Sequence, residues 1–297
     1  MLMPELPEVD MFRRDLEGLF TRSTVKSIRG LRKDIWVGEP RMPSGQWTGK
    51  TLFRHGKILV YEFSAVDASP PAKTLSSWYL LSRFGMSGSW RRIPSTIPNP
   101  DHTHLEIRFT STTDRLLWVD PRRFGRLEWT FDLSRSLLLR EVGPDALSVT
   151  PDELSAALSH SSRSVRTALM DQSVVAGIGN IYAAEILFRA RVNPFQQATR
   201  LSGNEFRRIF LSMKTVLGES LEAGGSTIHS YARGDGSPGE FQNQHLVYGR
   251  DGQPCVSCGL PVQKIVQEAR SLYYCSFCQG SPESTSRRNA FAEDLMN

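Results

Sequence analysis

The feature that most restricts how this chain can fold is its set of four cysteines. All of them fall in one short stretch, as Cys255-x-x-Cys258, sixteen residues, and Cys275-x-x-Cys278. Two such pairs bring four sulfurs to one point only if the chain between them doubles back, so the intervening residues form a β-hairpin and the whole a small ribbon. Grouped thiols of this kind read as a metal site rather than a disulfide framework. The spacing suits one structural Zn2+ in a tetrahedral thiolate site, with an iron-sulfur centre as the other use of the same residues.

The remaining residues bound the rest. A chain of 297 residues with 39% hydrophobic content holds two ordinary domains with real cores. No apolar run approaches the ~18 residues of a membrane span, and the acidic, proline-bearing N-terminus lacks the features of a signal peptide. The expectation is a soluble protein of the cytoplasm or nucleoid with no membrane partner. An excess of 36 Lys and Arg over 31 Asp and Glu gives a charge of +5, which permits a polyanionic partner without demanding one.

Periodicity then divides the chain. Leu6, Val9, Phe12, Leu16 and Leu19 recur at helical spacing and predict one amphipathic helix over the first ~15 residues. From Lys26 to Trp129 short alternating or apolar runs separated by turn residues predict a β-sandwich or flattened barrel. Helical periodicity resumes after Thr150-Pro151-Asp152-Glu153, a capping box with proline at the first helical position, and Ser202-Gly203-Asn204-Glu205 repeats that signature. The fold class expected is α+β and multidomain: an N-terminal helix plus β-sandwich over 3–131, a linker over 132–149, a helical domain over 150–244, a zinc ribbon over 245–280 and a disordered tail over 281–297.

Chemistry concentrates in a few segments. In Met3-Pro4-Glu5-Leu6-Pro7-Glu8-Val9, removal of a Met3 start would leave Pro4 with a free secondary amine. An α-amino group titrates near ~8 and is nucleophilic around neutrality. Attack on C1′ of a sugar gives a cationic iminium, an electron sink, and Glu5 can protonate the ring oxygen as general acid. Lys57 lies at the mouth of a strand in Arg54-His55-Gly56-Lys57, and Phe84-Gly85-Met86-Ser87-Gly88 reads as a loop carrying one exposed methionine. Asp120-Pro121-Arg122-Arg123-Phe124-Gly125 offers guanidinium groups for phosphates or base edges and an aromatic wedge. In Leu169 to Ala183 the glycines end one helix, and free N–H groups open the next, an anion site with Asn180 as donor.

These segments, in this order, resemble the formamidopyrimidine-DNA glycosylase and endonuclease VIII family over residues 3–279. The resemblance implies a bifunctional glycosylase and abasic-site lyase of base excision repair, acting as a monomer on damaged double-stranded DNA through a Schiff base at Pro4 and β,δ-elimination. It implies catalytic roles for Pro4, Glu5, Lys57 and Arg270. It places Met86, Arg122 and Phe124 in the gap left by the extruded base, and His102, Asn180 and Glu185 among the DNA contacts. It gives one zinc to Cys255, Cys258, Cys275 and Cys278, and makes 150–244 a helix-two-turns-helix domain. The long segment from Ser226 to Phe241 resembles the lesion-capping loop of the formamidopyrimidine branch and favours oxidised purines, such as 8-oxoguanine, over pyrimidines or bare abasic sites. If Pro4 stayed blocked by the residues before it, a non-catalytic damage-binding zinc protein would remain. The chain departs from the family pattern at Met1-Leu2, which precede the motif, and at Arg83, Arg166 and Leu272, where histidine, lysine and threonine are usual.

Overall fold

A computed structural model describes residues 3–21, 23–38, 45–65, 77–226 and 239–280. The expected tail, 281–297, and most of the expected capping loop, 227–238, lie outside the described residues. The chain divides into two compact units, residues 1–142 with 223–240, and residues 143–222 with 241–297.

The first unit opens with α1 (Leu6–Phe20), whose apolar stripe from Leu6 to Phe20 is buried. Eight strands follow: β1 (Val25–Gly30), β2 (Trp47–His55), β3 (Ile58–Ala65), β4 (Ser77–Arg83), β5 (Ser89–Pro94), β6 (Thr103–Phe109), β7 (Asp114–Val119) and β8 (Arg126–Thr130). They form two antiparallel sheets, ordered β2-β3-β4-β8 and β1-β6-β7-β5. Aromatic rings fill the space between them. Trp90 of one sheet stands edge-on to Tyr61 of the other at 5.2 Å, and its indole N–H donates to Ser82 Oγ at 3.0 Å. The end of α1 is drawn in by Phe20, which meets Tyr61, Phe63 and Phe109 edge to face.

The expected linker, 132–149, falls into two parts. Its first part packs on the sandwich: Leu138 joins Ile58, Val60 and Leu81 in one cluster, and the buried Glu128 carboxylate accepts N–H groups from Leu137 and Leu138 at 2.8 and 2.9 Å. Its second part belongs to the helical unit, where the Lys214 ammonium donates to the carbonyls of Ala146, Leu147 and Val149. The division falls between Val142 and Gly143.

In the second unit, α2 (Pro151–Ser159) starts at the expected box, with reciprocal bonds between Thr150 and Glu153. It is followed by α3 (Val165–Met170), α4 (Asn180–Ala190) and α5 (Gly203–Glu222), the last preceded by matching bonds between Ser202 and Glu205. The hairpin β9 (Gln263–Gln267) and β10 (Arg270–Tyr274) and the short α6 (Ser276–Gln279) complete it. The ribbon shares its core with the helices, since Val247, Val262, Tyr273 and Cys275 pack with Ala184 and Phe188 of α4. Among the described residues no helix is long and apolar enough to cross a membrane.

Gly49 of β2 marks the tightest approach in the sandwich: a Cβ there would lie 2.1 Å from the Phe20 carbonyl oxygen at the end of α1. Gly49→Ala should therefore cost roughly 3 kcal/mol or more. Gly218→Ala, on α5 with open space where its Cβ would go, should stabilise by about 1 kcal/mol. Urea denaturation of the two variants checks the opposite signs.

Candidate functional site

Helix α1 begins at Glu5, and its first turn carries carboxylates away from water. Pro4 is buried, Glu5 is 2% exposed and Glu8 is fully buried. One oxygen of Glu8 accepts the Glu5 N–H at 2.9 Å, satisfying a donor that the helix start leaves orphaned. The other accepts the N–H of Ser226 at 2.8 Å, at the point where the segment after α5 begins. Glu8 thus sets the helix start beside Pro4 and holds a distant stretch of chain. Sequence reasoning misses it; its spacing three residues after Glu5 is the signal that could have found it.

Lys57 sits in the turn at the mouth of β3. His55 pairs with Ile58, so Gly56 and Lys57 form a two-residue hairpin turn, with Gly56 at φ +56° in the first central position. Arg54 donates to the Gly56 carbonyl at 2.9 Å, and Lys57 is 7% exposed. Pro4, Glu5 and Lys57 are thereby three buried groups of one unit.

The loops carrying Met86 and Arg122 lie against each other. A Cβ on Gly85, itself at φ +60°, would fall 2.5 Å from the Phe124 carbonyl carbon. Phe124 is 49% exposed, and the Arg122 guanidinium lies 5.0 Å from its ring centroid. A large exposed aromatic capped by a cation offers one flat face for stacking and one fork for hydrogen bonds. His102 is exposed and left-handed, and its carbonyl accepts the Asp120 N–H at 3.1 Å, at the foot of the second loop. At the end of β4, Arg83 faces Arg126 of β8 directly across the sheet. Burial and this like charge both pull the Arg83 guanidinium below its ordinary pKa.

In the second unit the turn before α4 is braced by Gln172, which donates to the carbonyls of Met170 and Ile178 and accepts from the Gly177 N–H. Asn180, at the start of α4, donates to the Ser271 carbonyl at 2.9 Å and accepts from Arg166 at 2.6 Å. Arg166 is fully buried, and burial pushes its pKa down, with the nearby Arg270 adding to the fall and Glu268 opposing it. Arg166 therefore ties α3 to α4, and through Asn180 to the hairpin bearing Arg270. Arg270 itself follows a two-residue turn, Glu268-Ala269, with both residues at positive φ.

Glu185, expected among the DNA contacts, lies on α4. Its carboxylate is buried and accepts the N–H groups of Leu246, Val247 and Tyr248 at 2.9, 3.0 and 2.8 Å. Burial raises its pKa and the three backbone bonds oppose the rise. The three bonds tie α4 to the lead into the ribbon.

The four cysteine sulfurs all lie within 4.8 Å of one another. The Cys255–Cys278 and Cys258–Cys275 separations are 3.9 and 3.5 Å. Zinc-thiolate bonds of about 2.3 Å in a tetrahedron put sulfurs about 3.8 Å apart, so the geometry fits, whereas a disulfide at about 2.05 Å does not. This is a structural zinc site with no open position. Gln279 secures its second knuckle, accepting the Cys275 N–H at 3.0 Å and donating to the Val192 carbonyl beyond α4 at 3.1 Å.

Three family models match the chain: the formamidopyrimidine-DNA glycosylase N-terminal domain over residues 3–127, the formamidopyrimidine-DNA glycosylase H2TH domain over 142–232, and a zinc finger found in FPG and IleRS over 252–280. The formamidopyrimidine-DNA glycosylase of Listeria innocua is 33% identical over 286 residues, covering 93% of this chain and all of that protein. The crystal structure of the MutM (FPG) protein from Thermus thermophilus superposes with a TM-score of 0.80 at 34% identity, covering 94% of this chain and 99% of that one. A Lactococcus lactis FPG mutant in complex with a Fapy-dG containing DNA also gives 0.80, at 28% identity, covering 94% and 100%.

Because the ribbon and α4 share one core, loss of zinc should loosen more than the knuckles. The protein should carry one zinc per chain by metal analysis. Chelation, or Cys255→Ser, should speed amide exchange in β9 and β10 by about two orders of magnitude, a change that mass-detected hydrogen exchange reads directly.

Proposed function

The chain belongs to the formamidopyrimidine-DNA glycosylase family, and from that membership and the geometry of its first unit we propose that it removes oxidised purines from DNA and then cuts the strand at the abasic sugar. The observation that carries this reading is the burial of Pro4 and Glu5 together at the start of α1. A secondary amine and a carboxyl out of bulk water are the two groups that sugar-iminium chemistry requires.

In this mechanism the Pro4 nitrogen, freed of the residues before it, attacks C1′ and the bond to the damaged base breaks, the base leaving with the electron pair and taking a proton. Glu5 protonates the ring oxygen, the C1′–O bond opens, and a cationic iminium joins Pro4 to the sugar. Loss of a proton from C2′ expels the 3′ phosphate, loss of one from C4′ expels the 5′ phosphate, and water releases the amine. Lys57 transfers protons and contacts the sugar. Arg270 grips a phosphate beside the lesion and assists the second elimination, and Asn180 and His102 hold further phosphates.

Met86, Arg122 and Phe124 fill the duplex where the base has left, offsetting an extrusion cost of a few kcal/mol, and Arg122 reads the orphaned base. Residues 3–131 carry the chemistry; 150–244 and the ribbon at 245–280 grip the duplex, the protein acting as a monomer. The Lactococcus lactis relative crystallised with DNA containing Fapy-dG supports the substrate class. So does the resemblance of the Ser226 to Phe241 segment to a purine-capping loop.

The deciding experiment joins intact mass of the native protein to borohydride reduction with duplex containing 8-oxoguanine. The expected result is a chain beginning at Pro4 and a covalent adduct mapping to it. Pro4→Gly should weaken trapping, and Glu5→Gln should slow base release by roughly 10²- to 10⁴-fold. A native chain that retains Met1 and gives no adduct overturns the enzymatic reading in favour of damage binding alone.

A further inference from the structure

The side chains proposed to enter the duplex sit on two loops far apart in sequence, and a hydroxyl-carboxylate pair joins the loops from below. Ser87 follows Met86 directly. Its hydroxyl donates to Asp120 Oδ1 in a short hydrogen bond and accepts the Arg122 N–H at 3.0 Å. The second carboxylate oxygen, Oδ2, accepts the Gly125 N–H at 2.7 Å. The backbone is thus pinned immediately before and immediately after the run Arg122-Arg123-Phe124, and both pins lead to one buried carboxylate.

The surroundings make this carboxylate a fastener rather than half of an ion pair. Asp120 is 0% exposed, and among the described residues its side chain meets the Ser87 hydroxyl and the Gly125 N–H, with no cation in contact. A buried carboxylate persists only when hydrogen bonds replace its hydration, so the two donors must hold their places. Its carbonyl is engaged by His104 Nε2 at 2.8 Å and by the Arg123 N–H at 3.3 Å, which fixes the residue to the sheet. Arg123 lies at φ +58°, a conformation that costs a non-glycine residue about 1 kcal/mol and that the two pins maintain. The left-handed turn there brings Arg122 and Phe124, two residues apart, to within cation-π distance. On the facing side Gly85 leaves no room for a Cβ against Phe124.

We propose that Ser87 and Asp120 are positioning residues that lock the Met86 loop and the Arg122–Phe124 loop into one rigid insert, so that discrimination of the base opposite the lesion depends on a buried pair that never touches the DNA. The proposal rests on the glycosylase reading above. It adds that the three inserted side chains act as a unit, and that specificity is lost when the pair is broken even with all three still present.

The test measures kcat/KM on lesion duplexes bearing each of the four opposite bases, for the full chain and for Ser87→Ala, Asp120→Asn and Ser136→Ala. Ser136→Ala is the stability control, because Ser136 donates to the buried Glu128 carboxylate at 2.7 Å in the same unit, a like pair that carries no inserted side chain. Ser87→Ala and Asp120→Asn should each lower the ratio between the most and least favoured opposite base by about tenfold, the worth of one hydrogen bond to a charged group. Affinity for undamaged duplex should stay unchanged. Ser136→Ala should lower thermal stability and leave the ratio intact. Removing Met86 as well as the Ser87 hydroxyl should cost the ratio little beyond either change alone. Unchanged ratios in Ser87→Ala, or an equal fall in Ser136→Ala, overturn the inference. A wild-type protein that neither excises nor discriminates would instead defeat the glycosylase reading itself.

Discussion

Buried carboxylates that accept backbone N–H groups hold the working parts of this chain together. Glu8 takes N–H groups from Glu5 and Ser226, Asp120 from Gly125, Glu128 from Leu137 and Leu138, and Glu185 from Leu246, Val247 and Tyr248. Glu8, Glu128 and Glu185 each join an irregular segment to a helix or strand, and Asp120 joins two loops. Loops usually run over a surface because their backbone groups need water. A carboxylate brought to them supplies acceptors of greater strength than water, at roughly 1.5–3 kcal/mol per bond to a charged group. The arrangement is directional as well as strong, so a loop fixed in this way keeps its side chains pointed.

The zinc ribbon uses a different fastening for a similar end. Its Val262, Tyr273 and Cys275 pack in one cluster with Ala184 and Phe188 of α4. Metal and helix thus share the task of folding it. Arg166, Asn180 and the Ser271 carbonyl form a polar seam along the same junction. At position 166 a guanidinium reaches Asn180 and, at 3.5 Å, Gln267 on the hairpin.

What is legible in the sequence is what depends on neighbours in the chain. The period of α1, the short apolar runs of the strands, the boxes at Thr150 and Ser202 and the cysteine spacing are all local signals, and the structure carries each of them. Bonds that span long separations leave no such trace. Glu8 to Ser226 crosses 218 residues and Glu185 to Val247 crosses 62, and neither pattern has a period. Glu185 therefore shows in sequence only as a carboxylate on a helix face and 132–149 only as a linker, with nothing to mark the backbone N–H groups that meet Glu185 or the burial of Leu138 against the sandwich. The neighbours of Lys57 mark it as a strand-end residue, but the two-residue turn that buries it follows from the pairing of His55 with Ile58.

The pair Arg83 and Arg126 has a consequence for how the protein answers ionic strength. Two guanidinium groups facing each other across adjacent strands repel while the protein is alone, and dissolved ions screen that repulsion. The same ions weaken the attraction of a cationic surface for a polyanion. Salt therefore eases this corner of the sandwich by screening Arg83 from Arg126.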